Sequence, residues 1–237
     1  MNRRASTDSV RAAPRGTDTR EAILQAAMNV FGEDGFHAAS TRTIAQAAGA
    51  NQALISYHFG SKERLYIAVF EDIATRIESF VGPIIAAVTT EAETPVRGSR
   101  TKTIDRNIAL VQRVVRGFVA MLTRDETTQW ARLILREQQS PSKAFDILYE
   151  RIFGRVIGLL TRLIARIAGR ERVIEEDRLT AMTIMGQALV FRAARAAVLR
   201  HLQWSAVGDA EIEAIQMRVA ANVAAVLRAI GERGARS

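Results

Sequence analysis

A chain of 237 residues with 48% hydrophobic content has room for one large domain or two small ones, each around its own core. With no cysteine there is no disulfide framework, thiolate zinc site or cysteine nucleophile, a pattern that suits a reducing cytoplasm. The 33 basic and 25 acidic residues leave a formal charge of +8, which favours a polyanionic partner and decides nothing about the fold.

Ala, Leu, Ile and Arg dominate and only 4 prolines interrupt them, so an all-α fold is expected, with no strand anywhere. The opening "MNRRASTDSVRAAPRGTDTR" is basic and lacks the apolar run of a secretory signal. Residues 1–18 read as a flexible basic arm, whose Arg3, Arg4, Arg11 and Arg15 suit a minor groove, phosphates or a solubilising tail. From Thr19 the pattern turns helical. Ile23, Ala27, Val30 and Phe31 fall on one face, and "GEDG" at 32–35 ends that helix. "STRTIAQAAGA" is a short second helix, capped by Ser40 or Thr41, with Gly49 supplying a left-handed turn behind it. Asn51 caps a third helix that Gly60 stops, and Ser61 caps a fourth that runs to Gly82-Pro83.

Beyond a turn-rich segment at 90–99, Ile104, Ile108, Val111, Val115, Phe118 and Leu122 form one apolar stripe. A helix over 126–139 follows, and Ser140-Pro141 reads as the cap and first position of a long helix to Ala168, with Gly169 behind it. Helices over 175–201 and 209–230 complete the chain. In the last, Ile212, Ile215, Val219, Val223, Val226 and Ile230 are spaced almost as in a coiled-coil seam. Arginines punctuate every long apolar run, so a soluble protein without membrane spans is expected. His37, His58 and His201 are scattered and make no metal-binding pair, so neither a metal nor any other cofactor is expected.

A helix, a tight glycine turn and a second short helix, packed on a longer preceding helix, make a helix-turn-helix whose second helix enters the major groove of double-stranded DNA. With Leu54 and Ile55 packed inward against Ile44, Ala45, Ala48 and Phe59, the third helix presents Gln52, Ala53, Ser56 and Tyr57. Gln contacts adenine bidentately, small Ala and Ser allow close approach to bases, and Tyr and Lys reach phosphates. Lys62 at a helix N-terminus opposes the macrodipole, and a nearby phosphate would supply a reason for it.

Over about residues 19–66 the sequence resembles the TetR family of bacterial transcriptional regulators, in "TxxxIAxxAG"- and "YxxFxSKExL"-like elements. The resemblance implies that Thr41 and Arg42 meet backbone and groove, Gln52 and Ala53 meet bases, and Tyr57, His58 and Lys62 hold phosphates. "LILREQQSPSKAFDILYERIFGRVIGLLTRLIARIAG" and "GQALVFRAARAAVLRHLQW" resemble the C-terminal domain of that family's CecR-type subgroup. This implies a helical domain, residues 67–237, that binds a small molecule and forms a homodimer through the last two helices.

Arg132, Arg136 and Glu137 interrupt one apolar helix of this domain, and Gln187 and Arg192 another. Such groups pair structurally, lie on the solvent face or orient a ligand in an apolar pocket. Arg136, Glu137 and Gln187 are the candidate ligand contacts, with Phe118 and Trp130 as candidate lining; Arg192 ranks behind them. No nucleophile with a base and no phosphate-cradling loop is present, so an enzyme is not expected. The expected mechanism is a dimeric repressor that reads a palindromic operator and is released when an effector tilts the fourth helix, 61–81. An activator of the same fold and a non-specific DNA-binding protein are the alternatives.

Overall fold

A computed structural model describes residues 16–95 and 98–234; the arm's Arg3, Arg4, Arg11 and Arg15 lie outside them. Every regular element among the described residues is helical, as expected. The chain divides into two compact units, Met1–Val69 and Phe70–Ser237.

The first unit holds α1 (Gly16–Ala38), α2 (Thr41–Ala47), α3 (Gln52–Phe59) and the opening turns of α4 (Lys62–Glu93). In α1, Ile23, Ala27, Val30 and Phe31 are buried, the face that the spacing predicts. The helical path breaks at Gly35, where φ is +82°, a conformation that disfavours any residue with a side chain. Gly49 does the same work between α2 and α3 with φ +61°. Both short helices are capped by their own sequence. Ser40 Oγ accepts from Thr43 N at 3.0 Å, and Asn51 Oδ1 accepts from Ala53 N at 2.9 Å. Their inner sides, Ile44 and Ile55, join Phe31 and Leu65 in one core, and the Tyr66 ring meets Phe31 edge-on at 5.0 Å. Each such side chain removed from water contributes about 1.5–3 kcal/mol, which is what holds two helices of this length in place.

α4 does not stop at Gly82-Pro83. It continues to Glu93, carrying Pro83 inside it. An interior proline costs roughly 3 kcal/mol, and here packing of the next turns offsets it: Val88 is fully buried, and Ile84 lies so close to Gly117 that a β-carbon there would stand 2.4 Å from its Cδ1.

The second unit continues with α5 (Arg100–Thr123), a 3₁₀ turn (Asp125–Thr127), α6 (Thr128–Gln139), α7 (Lys143–Leu148), a π turn (Tyr149–Phe153) and α8 (Gly154–Ile167). The single helix expected from Ser140 is thus three pieces. Ser140 closes α6 instead, and the N-cap is Ser142, whose Oγ accepts from Ala144 N at 3.1 Å. Pro141 forces its predecessor out of helical geometry, so α6 ends at Gln139 as expected while the next N-cap falls two residues later than expected. The helix expected over 175–201 is likewise two, α9 (Glu175–Ala193) and α10 (Arg195–Leu202), bent by 77° at Ala194. Arg192 and Arg195 on either side of the bend grip the same 3₁₀ segment, about 70 residues earlier in the chain, a partner that no local pattern announces.

α11 (Asp209–Gly234) runs against α5. The seam read in its sequence is mostly spent there: Ile215, Val219, Val223 and Ile230 are buried within the chain, while Val226 is exposed. Gln112 Nε2 donates to Ala220 O and Gln216 Nε2 to Arg116 O, each at 2.9 Å, fixing the register of the pair. α4 and α11 are long and apolar enough by length and composition to cross a membrane, but the apolar face of α11 is the one packed on α5.

Candidate DNA-reading helix and effector cavity

In the first unit the site residues are set out by α2, α3 and the start of α4. Gln52, Ala53, Ser56 and Tyr57 all stand on the exposed side of α3, and Tyr57 is 81% exposed, unusual for an aromatic with no structural load. Gln52 is oriented: its Nε2 donates to Thr41 Oγ1 at 2.9 Å, which ties the first residue of α3 to the first of α2. Arg42 is exposed beside that pair. The rings of Tyr57 and His58 meet edge-on at 5.0 Å, leaving His58 half-buried at the end of the helix. Lys62 has partners of its own. Its Nζ lies 3.4 Å from His37 O and 4.7 Å from the Phe36 ring centroid, so the ammonium rests on the C-terminal end of α1.

In the second unit a cavity of about 810 Å³ opens among α5, α6, the π turn, α8 and α9, with Ile77 of α4 in its wall. Phe118, Met121, Trp130, Tyr149, Phe153 and Met185 give it an apolar and largely aromatic surface. Of the expected ligand contacts, Phe118 and Trp130 line it, while Arg136, Glu137 and Gln187 do not. Glu137 is buried beside the start of α7, where its carboxylate accepts from Ser142 N at 2.9 Å and from Ser142 Oγ. Arg136 is exposed, and Gln187 sits half-buried on α9, off the cavity wall.

The polar side chains in the wall are Gln138, Thr161, Arg162, Arg178 and Arg192. Thr161 is occupied, donating to Ile157 O at 2.7 Å. Arg192, which the sequence places behind the other candidates, is the buried charge of the wall, only 8% exposed. Its NH1 donates to Thr128 Oγ1 at 3.0 Å, and its NH2 to Arg124 O at 2.8 Å and to Thr127 Oγ1. Burial and the neighbouring Arg195 hold its pKa below the usual arginine value, against the pull of Asp125. Since arginine keeps its proton in proteins, this is a measure of how unfavourably the charge is housed.

The π turn connects this cavity to α4. Tyr149 and Phe153 line the wall, and Arg151 between them reaches α4 with four contacts. Its Nε donates to Glu78 Oε1 at 3.1 Å and its NH2 to Glu78 Oε2 at 2.5 Å, while Thr75 Oγ1 and Glu71 O accept at 3.2 and 3.3 Å. Those hydrogen bonds hold the Glu78 carboxyl below its usual pKa.

A helical body with a capped helix-turn-helix at its N-terminus and an apolar cavity beyond it has the layout of a DNA-binding regulator. Residues 23–69 match the family of bacterial regulatory proteins, tetR family, and residues 108–230 match the C-terminal domain of the HTH-type transcriptional dual regulator CecR. The CecR of Shigella flexneri is 32% identical over 221 residues, 92% of this chain and 96% of that protein. Among solved structures, a TetR-family regulator from Mesorhizobium loti superposes with TM-score 0.58 at 19% identity, covering 92% of this chain and 98% of that one. AibR, solved in complex with isovaleryl coenzyme A and operator DNA, does so with TM-score 0.59 at 15% identity over 86% and 97%. The chain belongs to the TetR family of transcriptional regulators and is of the CecR type.

Proposed function

We propose that the protein is a cytoplasmic homodimeric repressor that reads a palindromic operator with α3 and releases it when a small molecule fills the second unit's cavity. One observation carries the DNA reading: α3 turns Gln52, Ala53, Ser56 and Tyr57 to solvent with Gln52 held by Thr41, a face made for base edges and phosphates rather than for water. Thr41, Arg42, His58 and Lys62 flank that face and are assigned to groove and phosphate contacts. Domain limits of 19–66 for the reader and 67–237 for the effector and dimerisation body accompany this reading.

Two readers separated by about one helical turn of DNA, roughly 34–36 Å, require a symmetric dimer. The surface that suits it is the apolar face left open by α9 and α11, where Leu179, Val190, Met217 and Val226 are exposed. A ligand changes DNA affinity only by binding one arrangement of α4 better than another. The sign of regulation is assigned as repression; the relative CecR is named a dual regulator, which keeps activation at some promoters as the second reading. AibR, which holds an acyl coenzyme A and operator DNA in one structure, lends the effector response its support.

The test is selection of bound sequences from a random duplex library at physiological salt. Recovery of a palindrome is expected. Binding without a motif that vanishes as salt rises would replace this reading with non-specific DNA binding.

A further inference from the structure

The cavity wall has an asymmetry of charge. Among the described residues it contains three arginines, Arg162, Arg178 and Arg192, and no aspartate or glutamate. Two of them are solvent-exposed; Arg192 is not. A buried cation is ordinarily paired with a carboxylate, because the desolvation cost of a lone charge is several kcal/mol in order of magnitude. Arg192 has no such pair among the described residues: every oxygen it reaches is a neutral hydroxyl or carbonyl. Among the described residues, the carboxylate near enough to influence it, Asp125, is engaged by Arg195 at 2.7 Å. Its Nε is buried and meets no acceptor among the described residues. An arginine in the wall of an apolar cavity, with no carboxylate partner among the described residues, is a site suited to an anion.

Resting on the effector reading above and deepening it, we propose that the effector is an amphipathic anion, an aromatic or long aliphatic body carrying one acidic head, with the head paired to Arg192. The apolar wall takes the body, and the volume matches a drug-sized molecule. The head is a carboxylate or a phosphate monoester; both present anionic oxygens to a guanidinium fork. A neutral or cationic molecule of the same body leaves Arg192 uncompensated, or adds a second positive charge beside it.

The purified full-length chain is titrated calorimetrically with decanoate, decyl phosphate, decan-1-ol and decylammonium, which share a body and differ in the head. At least one anion is expected to bind about tenfold or more tighter than the alcohol, the size of a charged hydrogen bond, with the ammonium weakest. The Arg192→Gln variant is then expected to bind anion and alcohol within about threefold of each other, while Arg192→Lys keeps part of the preference. Because the comparison is a ratio within one protein, a general loosening of the 124–128 segment divides out. Equal binding of anion and alcohol by the parent chain, an undiminished preference in Arg192→Gln, or no saturable binding of any probe overturns the proposal. Release of DNA recovered in the selection experiment is measured alongside. Release by the alcohol alone would leave the effector cavity standing and remove the anion; anion binding through Arg192 without release would keep the site and remove its regulatory role.

Discussion

Changing Glu78 to Gln keeps the shape of the contact with Arg151 and removes its charge. Both side chains are about one-third exposed, 34% and 35%, so the loss falls well below the 3–5 kcal/mol of a fully buried pair. Bidentate geometry lifts it above the median surface pair, and about 1–1.5 kcal/mol is the expected cost at pH 7. In a protein of this size that lowers Tm by about 2–6 °C. The pH dependence separates this pair from generic damage. Arg151 depresses the Glu78 pKa in the folded state, so its contribution is complete above the unfolded value of about 4.3 and disappears as pH falls through the lower folded value. Thermal unfolding of parent and Glu78→Gln should therefore differ at pH 7 and converge as the pH drops from about 5 toward 3, because all other carboxylates titrate alike in both. A variant with the parent's Tm at pH 7, or a gap that persists undiminished at the acid end, would refute the reasoning. The same variant tests coupling, since Arg151 sits between cavity-lining Tyr149 and Phe153 and holds α4: effector binding should survive, and DNA release should weaken by up to about tenfold.

Gln52→Ala is expected to flatten sequence preference by about 1–3 kcal/mol at one base pair, and Thr41→Ala to lose a smaller part of it by freeing the Gln52 amide; unchanged preference across operator variants removes both from base reading. Lys62→Ala should reduce the salt slope of DNA binding by about one phosphate, and because the ammonium also rests on His37 O and Phe36, it should lower Tm as well; a Tm change with an unaltered slope would make Lys62 a purely structural residue. Gly49→Val should cost at least about 1–2 kcal/mol, since φ there is +61°, while Gly49→Asn costs less; equal melting of the two variants would contradict the turn geometry.

The reader was legible because its signals are local. Ser40, Asn51 and Gly49 act within three residues of themselves, and α2 and α3 start and stop where those residues place them. The second unit was less so wherever a distant partner outweighs local punctuation. Pro83 ought to end a helix, and it does not because Val88 and Ile84 are captured by the body of the unit. The bend at Ala194 and the grip of Arg192 and Arg195 on the 124–128 segment join residues about 70 positions apart, and the seam of α11 was read correctly as apolar but faces α5 in the same chain.

The polar residues of the cavity wall escape the sequence reading, which finds Phe118 and Trp130, for a more instructive reason, which is phase. Along α9 the wall is Arg178, Met182, Met185, Gly186, Leu189 and Arg192, spaced by four, three, one, three and three: a single helical face. Gln187 stands one position after Gly186, a rotation of about 100° that carries it off that face. α6 repeats the pattern in part. Trp130, Ala131, Ile134, Leu135 and Gln138 share a face with the cavity and Arg136 falls off it, whereas Glu137, seven residues after Trp130, is close in phase to that face and is turned to the cap of α7 by Ser142. A polar residue that merely interrupts an apolar helix therefore says little about a ligand. One that lies in phase with the methionines and aromatics of a wall, as Arg192 and Gln138 do, is held toward whatever fills the cavity by the same periodicity that holds its apolar neighbours there. Once the structure shows which face of α9 is the wall, that criterion reverses the order in which the sequence places Gln187 and Arg192.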